Sequence, residues 1–256
     1  MKAIFISDAH LIKSSDDRYI KLIDFLNDLK AGNISSLVNG EDKYSRAVLI
    51  DELFIAGDLF DFWFCRKNNI YSDFKIIIDK LVELKNAGIR IHLFEGNHDF
   101  FMKEYFHDVL GMDVFEDSAH FMLDGKKIYV SHGDTADKNN KIYMIFRKIL
   151  RSGAFYHFQR FIPSPVLWMV AGLSSAASKE LNKENGDELF ERMSEYAQEK
   201  LHGDCDVIIL GHSHQAVVKN YMIEGKEKIF VALGDWIKHY SFLYYENGEF
   251  HLSHYR

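Results

Sequence analysis

Cysteine is almost missing from this sequence: Cys65 and Cys205 are the only two in 256 residues. Two cannot build a disulfide framework, so a reducing, cytosolic setting is expected. Apolar runs are also short, and none nears the ~18–20 residues that span a bilayer. The N-terminal run stops at Asp8 with a single Lys before it, which reads as a buried strand and not a signal peptide. Positive charge is outnumbered, with 31 Lys and Arg against 38 Asp and Glu and a net charge of -7. Binding along a duplex needs many phosphate-neutralising Lys and Arg, so no nucleic-acid partner is expected. Proline occurs twice, at Pro163 and Pro165, so helix-breaking by proline is confined to one stretch.

Apolar and aromatic side chains are plentiful, at 47% and 14% of residues. That suffices for one large domain over 1–256 carrying an insertion. Residues 2–7 read as a buried strand, and Leu22, Ile23, Phe25, Leu26 and Leu29 recur at helical spacing. The stretch 33–46 is polar and irregular, and 47–56 reads as a strand. Phe74, Ile77, Ile78, Leu81, Val82 and Leu84 mark a second helix ended by Gly88, with a strand at 90–94 following. Strand alternating with helix is the signature of a parallel sheet. The pattern then turns antiparallel, with a hairpin at 120–131 around Asp124-Gly125. Helix 186–202, strand 206–210 and alternating runs at 216–223, 228–233, 241–246 and 249–254 complete the chain. The fold class predicted is α/β: two sheets packed face to face, with helices outside.

Five polar clusters end apolar, strand-like runs. They are Asp8-Ala9-His10, Gly57-Asp58-Leu59-Phe60-Asp61, Gly96-Asn97-His98-Asp99, His132-Gly133-Asp134 and Gly211-His212-Ser213-His214. Turns ask for Asp, Asn and Gly but not for imidazole. In α/β sheets, loops at the carboxyl ends of strands converge, so these side chains can share one crevice. Carboxylate, imidazole and amide oxygen without thiolate suit Mn²⁺, Fe²⁺, Zn²⁺ or Co²⁺ and argue against a structural zinc site. Two such ions roughly 3.5–4 Å apart can share a carboxylate and lower the pKa of a bridging water.

The five clusters resemble the pattern of the calcineurin-like metallophosphoesterases: Asp-x-His, Gly-Asp-x-x-Asp, Gly-Asn-His-Asp/Glu, His and Gly-His-x-His. The resemblance implies a two-sheet sandwich flanked by helices and two divalent metal ions, Mn²⁺ foremost. Asp8, His10, Asp58 and His214 would hold one ion. Asp58, Asn97, His132 and His212 would hold the other, with Asp58 shared. It also implies that His98 protonates the leaving group and that Asp99 orients it. A substrate-binding role for His98 stays open.

The stretch 137–185 is longer than a crossover requires and reads as a helical lid inserted beside the site. From Lys138 to Lys179 it contains no Asp or Glu, and it carries Lys138, Lys141, Arg147, Lys148, Arg151 and Arg160. Ile142, Ile145, Phe146, Ile149 and Leu150 form an apolar helical face, and Pro163 and Pro165 are expected to break the run into two helices. Basic, aromatic and amphipathic segments bind anionic membrane surfaces or acylated anions. The alternative is that this surface packs on the core or on a second subunit, giving a weak homo-oligomer.

A closer resemblance follows. Gly57-Asp58-Leu59-Phe60-Asp61-Phe62-Trp63, His132-Gly133-Asp134-Thr135 and Ser178-Lys179-Glu180-Leu181-Asn182 are similar to motifs of the UDP-2,3-diacylglucosamine hydrolases of lipid A synthesis. It implies hydrolysis of an acylated UDP-sugar to UMP and a diacylglucosamine 1-phosphate. The acyl chains would be held by the lid at the cytoplasmic face of a bacterial inner membrane. Ser178 and Asn182 are then substrate-binding candidates, with Arg151 and Arg160 as cationic ones. Two departures stand out: His98 where the best-known members carry Arg, and Asn185 where they carry Lys. A soluble phosphodiesterase or nucleotide phosphatase, such as one acting on dinucleoside polyphosphates, is the rival reading. A non-catalytic scaffold on the same fold is the third.

Overall fold

Strand β1 (Lys2–Ile6) places Phe5 on one face of a sheet and Ile4 and Ile6 on the other, all fully or nearly fully buried. The same alternation recurs in β2 (Glu52–Ala56) and β3 (Arg90–Phe94), where Phe54 and Phe94 share the face of Phe5. Leu53, Ile55 and Leu93 point to the opposite face. Strands this apolar on both sides form only where both faces are covered. In this computed structural model, residues 1–33, 49–65, 67, 69–138, 140–159, 161–162 and 186–256 are described.

Helix α1 (Asp17–Ala31) joins β1 to β2, and α2 (Phe74–Asn86) joins β2 to β3. Both cover the outer face of the first sheet through Leu22, Phe25, Leu26, Leu29, Ile77, Leu81 and Leu84. A short helix α3 (Lys103–Phe106) leads to β4 (Asp113–Phe115); neither is anticipated in the sequence, because three or four residues show no period. The hairpin β5 (Ser118–Leu123) and β6 (Lys126–Ser131) starts the second sheet and closes at Asp124-Gly125 as expected. Helices α4 (Lys141–Leu150) and α5 (Gly153–Gln159) follow, then α6 (Gly186–Leu201), β7 (Val207–Leu210), β8 (Ala216–Ile223), β9 (Lys226–Leu233), β10 (Ser241–Glu246) and β11 (Glu249–His254).

The first sheet has the order β11-β10-β1-β2-β3-β4 and the second β5-β6-β7-β9-β8. Between them lies a core of Phe5, Phe54, Phe94, Ile128, Val130, Val207, Ile209, Val231 and Leu233. Phe190, Met193, Ala197 and Leu201 of α6 cover the outer face of the second sheet. The result is the expected α/β two-sheet sandwich flanked by helices.

Of the expected strand 47–56, residues 47–48 lie outside the described residues, 49–51 stand outside the sheet, and the strand runs Glu52–Ala56. Just before it, the Asp51 carboxylate accepts the Lys2 N–H at 2.7 Å. Most of the polar excursion at 33–46 lies outside the described residues. The four alternating runs of the tail do not all join the second sheet. β8 and β9 do, whereas β10 and β11 extend the first, with β10 antiparallel to β1. Trp236 anchors that crossing: its N–H reaches the Asp8 carbonyl at 3.1 Å and its side chain is fully buried.

Only part of the insertion lies within the described residues. Pro163 and Pro165, with the break expected there, lie outside them, and within them a further break separates α4 from α5 at Arg151-Ser152. The apolar face of α4 looks outward, with Ile142 83%, Ile145 63%, Phe146 56% and Ile149 56% exposed. Its polar face looks inward. Arg147 pairs with Asp134 and Asp117, and Arg151 with Glu95. Lys138 pairs with Glu199. Much of the insertion's positive charge is thus spent on the core instead of facing out.

Candidate metal centre

The expected donors all follow strand ends: Asp8 and His10 after β1, Asp58 after β2, Asn97 after β3, His132 after β6, and His212 and His214 after β7. The first two loops stay zipped beyond the sheet, with Asp8 N–H on Gly57 O (3.1 Å), His10 N–H on Asp58 O (2.9 Å) and Leu11 N–H on Leu59 O (3.0 Å). Asp8, His10, Asp58, His212 and His214 all have left-handed backbones, with φ between 44° and 64°. Such values are uncommon for residues with a Cβ and gather at functional sites, where the surroundings enforce them. Crowding explains two glycines. A Cβ at Gly57 would stand 2.5 Å from His132 Nδ1, and one at Gly96 would stand 2.0 Å from Asp58 Oδ1.

Two carboxylates organise the centre in the same way. Asp8 Oδ2 accepts the His212 N–H (2.9 Å), which leaves Oδ1 facing His10 Nε2 (3.8 Å) and His214 Nε2 (3.7 Å). Asp58 Oδ1 accepts the His98 N–H (2.9 Å), which leaves Oδ2 between His10 Nε2 (3.6 Å) and His132 Nε2 (3.4 Å). His132 Nε2 also meets Asn97 Oδ1 at 3.0 Å, and the His132 and His212 ring centroids lie 5.0 Å apart. The seven expected donors therefore converge in two groups with Asp58 between them.

These residues fit a pair of divalent cations. Asp8 Oδ1 and His10 Nε2 are buried without a hydrogen-bond partner. An unsatisfied buried group costs about 1–3 kcal/mol, and here donor atoms of opposite character face one another across a gap. The remaining imidazole nitrogens face acceptors that orient them: His10 Nδ1 to Asp61 Oδ1 (3.3 Å), His132 Nδ1 to Ala56 O (3.0 Å) and His214 Nδ1 to Asp235 Oδ2 (3.6 Å). Metal-ligating histidines are held in this way.

The electrostatics agree. Burial alone would raise the Asp58 carboxyl, but His132, His98 and His10 outweigh it and hold Asp58 well below the usual carboxylate range. Burial likewise opposes a charge on His132, yet Asp58 outweighs it and pushes the imidazole up to about 10. Burial and the neighbouring His132 bring His212 down to about 4, so it is neutral at pH 7. For Asp99, burial and the Asp58 charge raise the carboxyl.

Asp99 does not orient His98. Its carboxylate accepts three backbone N–H groups, from Asp58 (3.0 Å), Phe60 (3.1 Å) and Gly96 (2.9 Å), and so ties the β2 loop to the β3 loop. His98 is held instead by the Asp61 carbonyl, 2.9 Å from its Nδ1. Facing a carbonyl, Nδ1 must carry the proton. Arg151 donates to Glu95 Oε2 (2.9 Å), Glu116 O (2.9 Å) and Gly96 O (2.7 Å). Ser178, Asn182 and Arg160 lie outside the described residues.

The sequence reading does not single out Asp235 and takes its neighbour His239 for an ordinary surface or core histidine. One Asp235 oxygen accepts the N–H groups of Ile237 (2.8 Å), Lys238 (2.6 Å) and His239 (3.2 Å), while the other meets His239 Nδ1 (2.9 Å) and His214. A signal was present. Gly234-Asp235 follows the apolar run of β9, a sixth instance of the strand-end pattern that marks the donors.

A family model for calcineurin-like phosphoesterases matches residues 1–216. Among curated proteins, the chain is 25% identical over 252 residues to the UDP-2,3-diacylglucosamine hydrolase of Aeromonas hydrophila, covering 97% of this chain and 96% of that one. It is 27% identical to the protein of the same name from Haemophilus influenzae, covering 96% of each. For that of Nitrosococcus oceani the identity is 26%, over 99% of this chain and 94% of the relative. With the model spanning most of its length, the chain belongs to the calcineurin-like phosphoesterase family.

Proposed function

We propose that this protein is a two-cation hydrolase that cleaves the pyrophosphate bond of an acylated UDP-sugar of the UDP-2,3-diacylglucosamine type, releasing UMP and an acylated sugar 1-phosphate. The convergence of the seven donors around Asp58 is the observation that carries the hydrolase part. Asp8, His10, Asp58 and His214 would hold one cation, and Asp58, Asn97, His132 and His212 the other, with Mn²⁺ matching the oxygen-and-imidazole set. Such a pair polarises phosphoryl oxygens and lowers the pKa of a water between the ions.

The chain's own groups supply the rest. With Nδ1–H fixed on the Asp61 carbonyl, His98 leaves Nε2 for the substrate, and in the doubly protonated imidazolium form that Nε2–H would donate to a leaving-group or phosphate oxygen. Asp99 fixes the backbone on which Asp58 and Gly96 sit.

The acyl-chain part rests on the outward apolar face of α4 and on likeness to curated relatives that carry that substrate in their names. Ser178, Asn182, Arg151 and Arg160 are candidate contacts to the diphosphate and sugar. The 137–185 lid would hold the acyl chains, with the protein lying on the inner face of a bacterial inner membrane. No helix among the described residues is long and apolar enough to cross that membrane. The test is UMP release by the Mn²⁺-loaded protein. Much faster release from UDP-2,3-diacylglucosamine than from UDP-N-acetylglucosamine is expected, and equal rates reject the lipid assignment alone. The orientation of His98 also favours a second reading, a phosphodiesterase or nucleotide phosphatase for soluble esters. That reading predicts full activity on dinucleoside polyphosphates and no response to detergent.

A further inference from the structure

Helix α4 buries none of its residues, so apolar packing does not fix it to the sandwich. A cavity of about 870 Å³ runs along it, with Met144, Ile145, Arg147 and Arg151 on the helix side and Glu95 and Glu116 on the core side. Its attachment is a polar stripe instead. Tyr143, Arg147 and Arg151 recur at every fourth position, which places them on one helix face.

Each of the three reaches a loop of the metal centre. Tyr143 Oη and Arg147 Nε donate to the same Asp134 oxygen at 2.6 and 2.7 Å, two residues beyond His132. A second Arg147 nitrogen reaches Asp117 Oδ1 at 2.5 Å. Arg151 donates to the carbonyl of Gly96 (2.7 Å), the residue before Asn97, and to Glu95 Oε2 (2.9 Å). Glu95 Oε1 in turn accepts the Met102 N–H at 2.8 Å and closes the 95–102 loop from behind. Among the described residues, the hydrogen bonds and ion pairs of this stripe go to Asp134, Asp117, Glu95, Gly96 and Glu116 and not to the loops bearing Asp8, His10 and His214. They are braced by Asp61, Asp235 and each other. Asn97 and His132 belong to the same cation, so one helix grips the two loops that complete one half of the centre.

We infer that α4 sets the geometry of the cation held by Asn97 and His132, with Arg147 and Arg151 as positioning residues for that cation alone. The inference rests on the two-cation reading. An Arg fork bonded to a backbone carbonyl and a carboxylate fixes both direction and distance, which a flexible ammonium does less well.

The test counts Mn²⁺. The metal-free chain is titrated with Mn²⁺, and binding is followed by calorimetry and by electron paramagnetic resonance, in which two adjacent ions give a spin-coupled spectrum. The native chain is expected to take up two ions. In the pair Arg147→Met with Arg151→Met, one ion keeps its affinity and the other weakens about 10- to 100-fold, as for lost outer contacts to metal ligands. The spin-coupled signal is then replaced by that of an isolated ion at equal loading. Melting temperature and circular dichroism check folding. If the Met pair does not fold, Arg147→Lys with Arg151→Lys decides, with a smaller but still one-sided loss expected. Fewer than two ions on the native chain would remove the two-cation reading and this inference together. Two ions on the native chain with unchanged affinities in the variant, or equal weakening of both, would overturn the inference alone.

Discussion

Asp58 Oδ2 lies 3.4 Å from His132 Nε2, with both groups completely or almost completely buried. In the metal-free chain this is an ion pair: His132 is pushed up to about 10 by Asp58, against the cost of its burial. Its other nitrogen faces the Ala56 carbonyl, so both N–H groups have acceptors. A folded-state pKa above the unfolded value of about 6.5 stabilises the metal-free fold fully below pH 6.5. That contribution is lost as pH rises through about 10. A cation replacing the Nε2 proton must release it. Mn²⁺ affinity should therefore rise with pH between about 7 and 10, by up to about tenfold per unit for one proton. Calorimetry in buffers of different ionisation enthalpy measures the release; a binding heat independent of buffer speaks against it.

Removing the shared carboxylate should be the most damaging single change. Asp58→Asn is expected to lower turnover by about 10³-fold or more and to leave at most one tightly held ion, since in the proposed arrangement Asp58 would be shared by both cations. Turnover within tenfold of the native protein would place the chemistry elsewhere.

Asp235→Ala frees His214 Nδ1 from its anchor. The expected effect is a 10- to 100-fold loss of affinity for the cation near His10, with the cation near Asn97 little changed. This is the mirror image of the effect expected from the α4 arginines, and the same titration separates the two.

Much of this centre is legible in the sequence because imidazole at a strand end has few other uses. Donors such as Asp8 and His212 lie 204 positions apart in sequence, yet every cluster follows an apolar run, and parallel strands deliver their carboxyl ends to one edge. Asp99 misleads, because a carboxylate beside a histidine suggests a pair, whereas in three dimensions the nearby backbone amides of Asp58, Phe60 and Gly96 claim it. Asp235 is overlooked because its cluster lacks imidazole at ligand spacing. The tail is divided between the two sheets because Trp236 docks beneath Asp8, a contact 228 positions apart that no periodicity reveals. Which face of α4 turns inward is hidden for the same reason: an amphipathic helix shows two faces in sequence but not which one meets the core, and here Asp134, Asp117 and Glu95 draw the arginines in.

The intersheet core makes a prediction free of metal chemistry. Phe54 is fully buried, with ring centroids 4.4 Å from both Phe5 and His92. Phe54→Ala should cost about 3–5 kcal/mol in urea unfolding of the metal-free chain. A loss below about 1 kcal/mol would mean that the sheets do not meet there.

The outward face of α4 can be probed without touching the cations. Ile142→Asp with Ile149→Asp places charge on side chains that are 83% and 56% exposed, so the fold should be retained. Hydrolysis of a small soluble phosphodiester should be unchanged, while the advantage of the acylated sugar nucleotide falls at least about tenfold, in line with about 0.8 kcal/mol per buried methylene. Comparing kcat/KM for the two substrates checks this. An intact preference would assign the acyl chains to another surface.

Anomalous diffraction from crystals soaked in Mn²⁺ speaks most directly to whether seven side chains from both sheets hold a pair of ions. Two peaks about 3.5–4 Å apart are expected on either side of Asp58 Oδ2, one bordered by His10 and His214 and the other by Asn97 and His132. A single peak, or a pair away from Asp58, would contradict the arrangement on which the proposed hydrolysis depends.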